Sequence, residues 1–195
     1  MLAGVVMRVL LVCTGNICRS PVAEILLREH WGREWGVHLS SAGTQAHVGD
    51  PIYSPIRKLL IDRALPDGPF AGRQLTQSLV EAADLVLVMT REHRSAVVVL
   101  HPPAVRRTFT LREFARIAAV TERLLDGETL AQRLSSLVPL AARMRGAARS
   151  SADADAISDP YGRGEPACQR AVDQIEASVD EVIRVLEKSS RIGRS

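Results

Sequence analysis

The stretch that leaves this chain the fewest folding options is "VMRVLLVC" at residues 6–13, followed at once by "TGNICRSP". The first segment is apolar and β-branched without alternation. That is the pattern of a strand buried on both faces, and such strands belong to parallel sheets covered by helices. The second segment runs into "SPVAEILLREHWGREWG", where Val22, Ile25, Leu26 and Trp31 recur at helical spacing. Ser20 is placed as the N-cap of that helix, Pro21 at its first position and Gly36 at its end. A cysteine-bearing turn therefore lies where the chain leaves the carboxyl end of a strand, the place at which open α/β sheets bind ligands.

The rest of the sequence repeats the alternation. "VHLSSAG" (37–43), "LVLVM" (85–89) and "RTFTL" (107–111) read as further strands, with helical patterning at 56–65, from Thr76, at 91–100 and from 112 onward. The expected fold is α/β: a single-domain, three-layer arrangement with an open, four-stranded parallel sheet flanked by helices and the active-site loop after the first strand. The 195 residues, 46% of them hydrophobic, suffice for one core. The domain takes in the whole chain. Within it, 1–6 form an N-terminal extension ahead of a second candidate start at Met7. Residues 115–155 form a helical insertion running into the small, polar, mobile connector "GAARSSADADA". The last amphipathic helix, 165–188, leaves 189–195 as a flexible tail.

Composition narrows the function classes. Three cysteines, an odd number, do not make the disulfide framework of a small secreted domain, and a reducing, cytoplasmic setting is expected. The N-terminus lacks the charged segment of a leader, and every apolar run is too short to cross a bilayer, so no membrane partner is expected. The net charge of +3 is concentrated in 101–150, where nine arginines face four carboxylates. With aromatic residues only 4% of the chain, those arginines read as solvated helix faces rather than a nucleic-acid surface. The five histidines are scattered without ligand spacing, so neither a metal nor another cofactor is expected.

The chemistry lies in the turn. Cys13 and Arg19 are six residues apart, and such a loop can wrap its backbone N–H groups around one anion while the helix N-terminus adds positive potential. The fitting guest is phosphate or a similar oxyanion, which the planar fork of Arg19 can grip through two N–H groups. The same field favours the thiolate of Cys13. Ser20 is placed to donate a hydrogen bond toward it, and Gly15 and Asn16 tolerate the positive φ values a cradle needs. A thiolate beside a phosphoryl group is a nucleophile for covalent transfer. The acid such a reaction needs is supplied by "ISDPYGRG", in which Asp159 is held extended by Pro160 and flanked by Tyr161.

Taken together, "VCTGNICRSP" near one end and "DPYG" near the other resemble the low-molecular-weight protein tyrosine phosphatase family. The similarity extends to "SAGT" (41–44), "VGDP" (48–51) and "ADLVLVM" (83–89). The resemblance implies an enzyme that hydrolyses phosphotyrosine in proteins or peptides through a phosphocysteine intermediate. It makes Cys13 the nucleophile, Arg19 the phosphate clamp, and Asp159 the general acid and later the base that activates water. Thr14, Gly15, Asn16, Ile17, Cys18 and Ser20 would belong to the phosphate loop, with Asn16, Ser20 and Ser41 holding its shape. Tyr161 would line the pocket wall, and Cys18 would match the family's second cysteine, which can protect the nucleophile as a reversible disulfide; a packed cysteine at the helix entry is the other reading of Cys18. The oligomeric state is left open.

The chain departs from the family pattern in three places. Members often carry a tryptophan after "SAGT", where this chain has "TQAHVGDP" and His47 takes the rim. Many have a histidine where Phe70 of "FAGR" stands, so the support of the loop asparagine is expected to be rebuilt. Residues 115–155 exceed the family's usual length. Three rival functions follow from the same loop. A protein-arginine phosphatase tends to have a threonine where Ile17 stands, and the isoleucine suits a flat aromatic ring. Arsenate reductase chemistry needs further cysteines, and none lies between Cys18 and Cys168. A silent phosphate-binding protein would not need Cys13, Arg19 and Asp159 together.

Overall fold

Strand β1, Met7–Cys13, is buried at every position except Arg8, as its unbroken apolar run requires. It lies at the centre of a four-stranded sheet of order β2-β1-β3-β4. Parallel pairing runs from Met7↔Val37 to Cys13↔Gly43 with β2 (Val37–Gly43), and from Val9↔Leu85 to Val12↔Val88 with β3 (Leu85–Val88). The short β4 (Thr108–Thr110) joins β3, also in parallel. The chain leaves β1 toward β2 on one side and returns to β3 on the other. The carboxyl ends of β1 and β3 therefore border the topological switch point, and Cys13 stands at it. The structure is a computed structural model that describes residues 6–31, 36–66, 68–148 and 150–188.

The two faces of the sheet divide the core. Val9, Leu11 and Cys13 point with Leu85 and Leu87 into the larger cluster, together with α1 (Arg19–Trp31), α2 (Ser54–Asp62), α5 (Leu111–Thr121), α6 (Leu130–Met144) and α8 (Glu165–Lys188). Leu10, Val12, Val86 and Val88 point the other way, against Val80 of α3 (Gln77–Ala82), Val97 of α4 (Arg91–Leu100) and Ala104 of the 3-10 turn Pro102–Arg107. Trp31, Phe109 and Phe114 are among the largest fully buried side chains, and the two phenylalanine rings meet at 5.4 Å. Loss of either ring is a cavity-forming change on the order of 3–5 kcal/mol.

Local signals fixed some boundaries and missed others. Thr76 and Thr90 cap α3 and α4 through their side chains. The strand expected at 107–111 shrinks to Thr108–Thr110, because Thr110 and Glu113 form a reciprocal capping box that starts α5. Helical patterning across 121–146 is broken: a 3-10 turn, Glu122–Leu124, precedes a second capping box, Thr129 with Gln132, at the start of α6. The stretch expected as a mobile connector contains the one-turn helix α7 (Ala152–Asp155). It is tied down by Asp155, which is buried between Arg91 and Arg116. Composition alone does not show such a long-range ion pair. The first helix is described as far as Trp31; residues 32–35, between it and Gly36 at φ 70, lie outside the described residues. The tail at 189–195 and most of the extension, residues 1–5, lie outside the described residues. Among the described residues, no helix is long and apolar enough to cross a membrane.

Candidate active site

The loop after β1 closes on the cysteine it carries. The Asn16 backbone N–H donates to Cys13 Sγ at 3.3 Å, and Ser20 Oγ lies 3.0 Å from the same sulfur. Ser20 is not the N-cap expected from sequence, since α1 already begins at Arg19. Within the first turn its hydroxyl faces the loop instead, where it also accepts from Asn16 Nδ2 at 2.9 Å. Asn16 is buried with φ 56, a left-handed conformation that asparagine tolerates better than most residues.

Asn16 is the hub that fixes this shape. Its Nδ2 also donates to Ser41 Oγ at 2.9 Å, and its Oδ1 accepts the Arg73 backbone N–H at 2.8 Å. The Arg73 guanidinium then donates twice to the Ser41 carbonyl, at 3.1 and 2.8 Å. Phe70, where the family often has histidine, only packs against the core, so Arg73 completes the network. Just past the end of β2, Thr44 and Gln45 donate backbone hydrogen bonds to the carbonyls of Cys13 and Thr14 at 2.9 and 3.0 Å. This approach requires Gly43, because a Cβ there would fall 2.3 Å from the Thr14 carbonyl oxygen.

Arg19, although 3% exposed, reaches the pocket. Its Nη1 donates to the Ile157 carbonyl at 3.1 Å, and its Nη2 to Thr14 Oγ1 at 3.2 Å and to Asp159 Oδ2 at 2.8 Å. Its Nε is buried without a protein partner. A buried orphan donor is costly, and an oxyanion accepting from Nε and Nη2 would satisfy it in the bidentate geometry that guanidinium favours. The pocket in front is about 120 Å³, and brings together Cys13, Thr14, Gly15, Ile17, Cys18, Arg19, His47, Asp159 and Tyr161. Asn16, Ser20 and Ser41 stand behind the loop as its frame. Such a volume suits a phosphoryl group at the base of a side chain rather than a whole drug-sized ligand.

Tyr161 stands at the mouth, its ring centroid 5.3 Å from His47 and 5.0 Å from Tyr53. Cys18 is buried beside Cys13; burial and that neighbour push its thiol well above the ordinary cysteine range, so it stays protonated. Cys13, Cys18 and Cys168 are all free. Cys168 is fully buried, with its sulfur 3.9 Å from the Pro160 carbonyl, a packing role.

Sequence reading missed Arg73, Gln45, Tyr53 and His93. His93 Nε2 lies 2.9 Å from Thr14 Oγ1 and its Nδ1 3.1 Å from Thr90 Oγ1. Burial, and then the Arg19 charge, push its pKa down to about 4, so the imidazole is neutral at pH 7. The available signal was topological: "MTREH" leaves the carboxyl end of β3, next to β1. The unfolded chain protonates His93 near pH 6.5 and the folded chain only near 4. Stability is therefore expected to fall as pH drops through that window, by about 3 kcal/mol at most for this group. Urea unfolding across pH should show a shallower acid loss for His93→Gln than for the parent, and identical slopes would refute the assignment.

An open parallel sheet whose first strand ends in a cysteine and arginine cradle, with a carboxylate at its rim, defines a class of α/β oxyanion-binding proteins. Comparison with known proteins narrows it. The sequence model of the family described as low molecular weight phosphotyrosine protein phosphatase matches residues 8–126. A probable low molecular weight protein-tyrosine-phosphatase, EpsP of Ralstonia nicotianae, is 37% identical over 105 residues, covering 54% of this chain and 70% of that protein. A protein-arginine-phosphatase of Geobacillus stearothermophilus is 36% identical over 107 residues, covering 55% and 70%. Among solved structures, the YwlE arginine phosphatase of Geobacillus stearothermophilus superposes with a TM-score of 0.68 at 26% identity, covering 97% of each chain. The chain belongs to the low molecular weight phosphotyrosine protein phosphatase family.

Proposed function

We propose that the protein hydrolyses phosphotyrosine in proteins or peptides through a phosphocysteine intermediate on Cys13. One observation carries this reading: Cys13, Arg19 and Asp159 line one phosphoryl-sized pocket, with the Arg19 guanidinium 2.8 Å from the Asp159 carboxylate. Arg19 and the loop N–H groups hold the phosphoryl oxygens and stabilise their charge as the transition state forms. The Cys13 thiolate attacks phosphorus, the bond to the tyrosine oxygen breaks, and Asp159 gives that oxygen its proton. Asp159, now a carboxylate, takes a proton from water; the resulting hydroxide attacks phosphorus, and the S–P bond breaks to return the thiolate. Ser20 and the Asn16 N–H, at 3.0 and 3.3 Å from Sγ, stabilise the sulfur anion in both steps.

Asp159 shares Arg19 with the incoming substrate. A phosphate dianion competes with Asp159 for that guanidinium. Tyr161, His47 and Tyr53 form a wall beside which a phenyl ring can stack. The three free, buried thiols support a reducing, cytoplasmic setting, and we read the whole chain as one domain.

A second reading, arginine dephosphorylation, draws on the likeness to arginine phosphatases. Ile17, in the pocket lining, favours the aromatic substrate because its apolar side chain gains nothing from a guanidinium and gains contact from a ring. Steady-state comparison of phosphotyrosine, phosphoarginine and phosphoserine peptides separates the two. The phosphotyrosine peptide is expected to lead in kcat/KM by at least roughly tenfold. A lead for phosphoarginine would replace the reading.

A further inference from the structure

The acid comes from a loop far from the cradle in sequence, so something must fix its register against the cradle. We infer that Asp155 is a positioning residue for Asp159, its buried carboxylate clamped by two part-exposed arginines that tie the acid loop to α4 and α5. The inference rests on the proposed acid role of Asp159.

Asp155 is 2% exposed and closes α7. Its Oδ2 accepts from Arg91 Nε at 2.9 Å and from Arg91 Nη2, and its Oδ1 accepts from Arg116 Nη2. Arg91 also donates to the Ser150 carbonyl, so one guanidinium holds both ends of the segment around α7. The next two residues are fastened as well. Arg112 Nη1 donates to the Ala156 carbonyl at 3.1 Å, the Ile157 N–H donates to the Met89 carbonyl at 2.8 Å, and the Ile157 carbonyl accepts from Arg19 at 3.1 Å.

Residues 155–157 are thus held by α4, by α5, by the chain leaving β3 and by the phosphate clamp itself. A carboxylate buried this deeply is tolerated only when its partners stay in place, which gives the loop a single register. Asp159 lies just two residues beyond the last of these contacts. Proton transfer is steep in donor position, so a shift near 1 Å at Asp159 is expected to slow the step that expels the phenolate. The cradle that binds phosphate is framed by other groups, Asn16 with Ser20, Ser41 and Arg73, so a displaced Asp159 does not weaken phosphate binding.

The test compares Asp155→Asn and Asp159→Asn in kcat/KM, which reports the step that releases the phenol. The substrates are a phosphotyrosine peptide and nitrophenyl phosphate, whose leaving group is acidic; inorganic phosphate serves as competitive inhibitor. For Asp155→Asn the expected result is a loss of roughly tenfold or more on the peptide and under about threefold on nitrophenyl phosphate, with phosphate inhibition no weaker than the parent's. In the double variant the loss should be close to that of Asp159→Asn alone, because the positioned group is already gone. Equal losses on both substrates, or weakened phosphate inhibition, would mean general disruption and overturn the inference. If Asp155→Asn does not fold, Arg112→Ala removes the Ala156 clamp without orphaning a buried carboxylate; it should show the same selectivity at smaller size, and uniform or absent losses overturn the inference. If Asp159→Asn shows the leaving-group selectivity and Asp155→Asn does not, positioning fails while the acid role stands. If neither shows it, the acid role fails and the inference falls with it.

Discussion

Cys13→Ser is expected to lower kcat on aryl phosphates by at least ~10⁴-fold while leaving inorganic phosphate bound about as tightly as in the parent. The two outcomes separate because the cradle and the nucleophile are different atoms. A serine hydroxyl is far less acidic than a thiol and a much weaker nucleophile, so attack on phosphorus is lost. The oxyanion, by contrast, is held by Arg19 and the loop N–H groups, and the Asn16 hub that shapes them is fixed by Ser20, Ser41 and Arg73. Steady-state kinetics with equilibrium phosphate titration checks both halves. Turnover within an order of magnitude of the parent would remove Cys13 from the chemistry.

Asp159→Asn is expected to cost on the order of 10²–10³ in kcat/KM on phosphotyrosine, and far less on a substrate that expels an acidic nitrophenol. The difference arises because an amide cannot protonate the leaving oxygen, and only the basic phenolate needs that proton. A second effect runs the other way. Asp159 Oδ2 sits 2.8 Å from Arg19, so removing its charge frees the guanidinium for the anion, and inorganic phosphate is expected to bind several-fold more tightly. Equal kinetic losses on the two substrates, or weaker phosphate binding, would contradict the assignment.

The parallel sheet was legible because strands buried on both faces carry an unmistakable run of apolar residues: Val9 to Val12 face alternate clusters and none is polar. Cys13, Arg19 and Asp159 were legible because their chemistry is written in short motifs. Other features depended on contacts between distant segments. Ser20 reads as a helix cap by residue type, yet its hydroxyl is claimed by Cys13 and Asn16. Arg73 supports the loop across 57 residues of chain through a backbone N–H, which any residue but proline could supply. His93 lies behind Thr14 only because β3 pairs with β1. Asp155 sits in a run of alanines, serines and aspartates that looks solvated, and only the packing of α4 and α5 reveals its two arginines.

The central claim is that phosphate is transferred to Cys13 itself. Rapid quenching of a reaction with an aryl phosphate, followed by peptide mass mapping, tests it most directly. The account predicts a phosphoryl group on the peptide containing Cys13, appearing with the first turnover and absent from Cys13→Ser. A phosphoryl group on any other residue, or steady turnover through the quench window with none on Cys13, would contradict it.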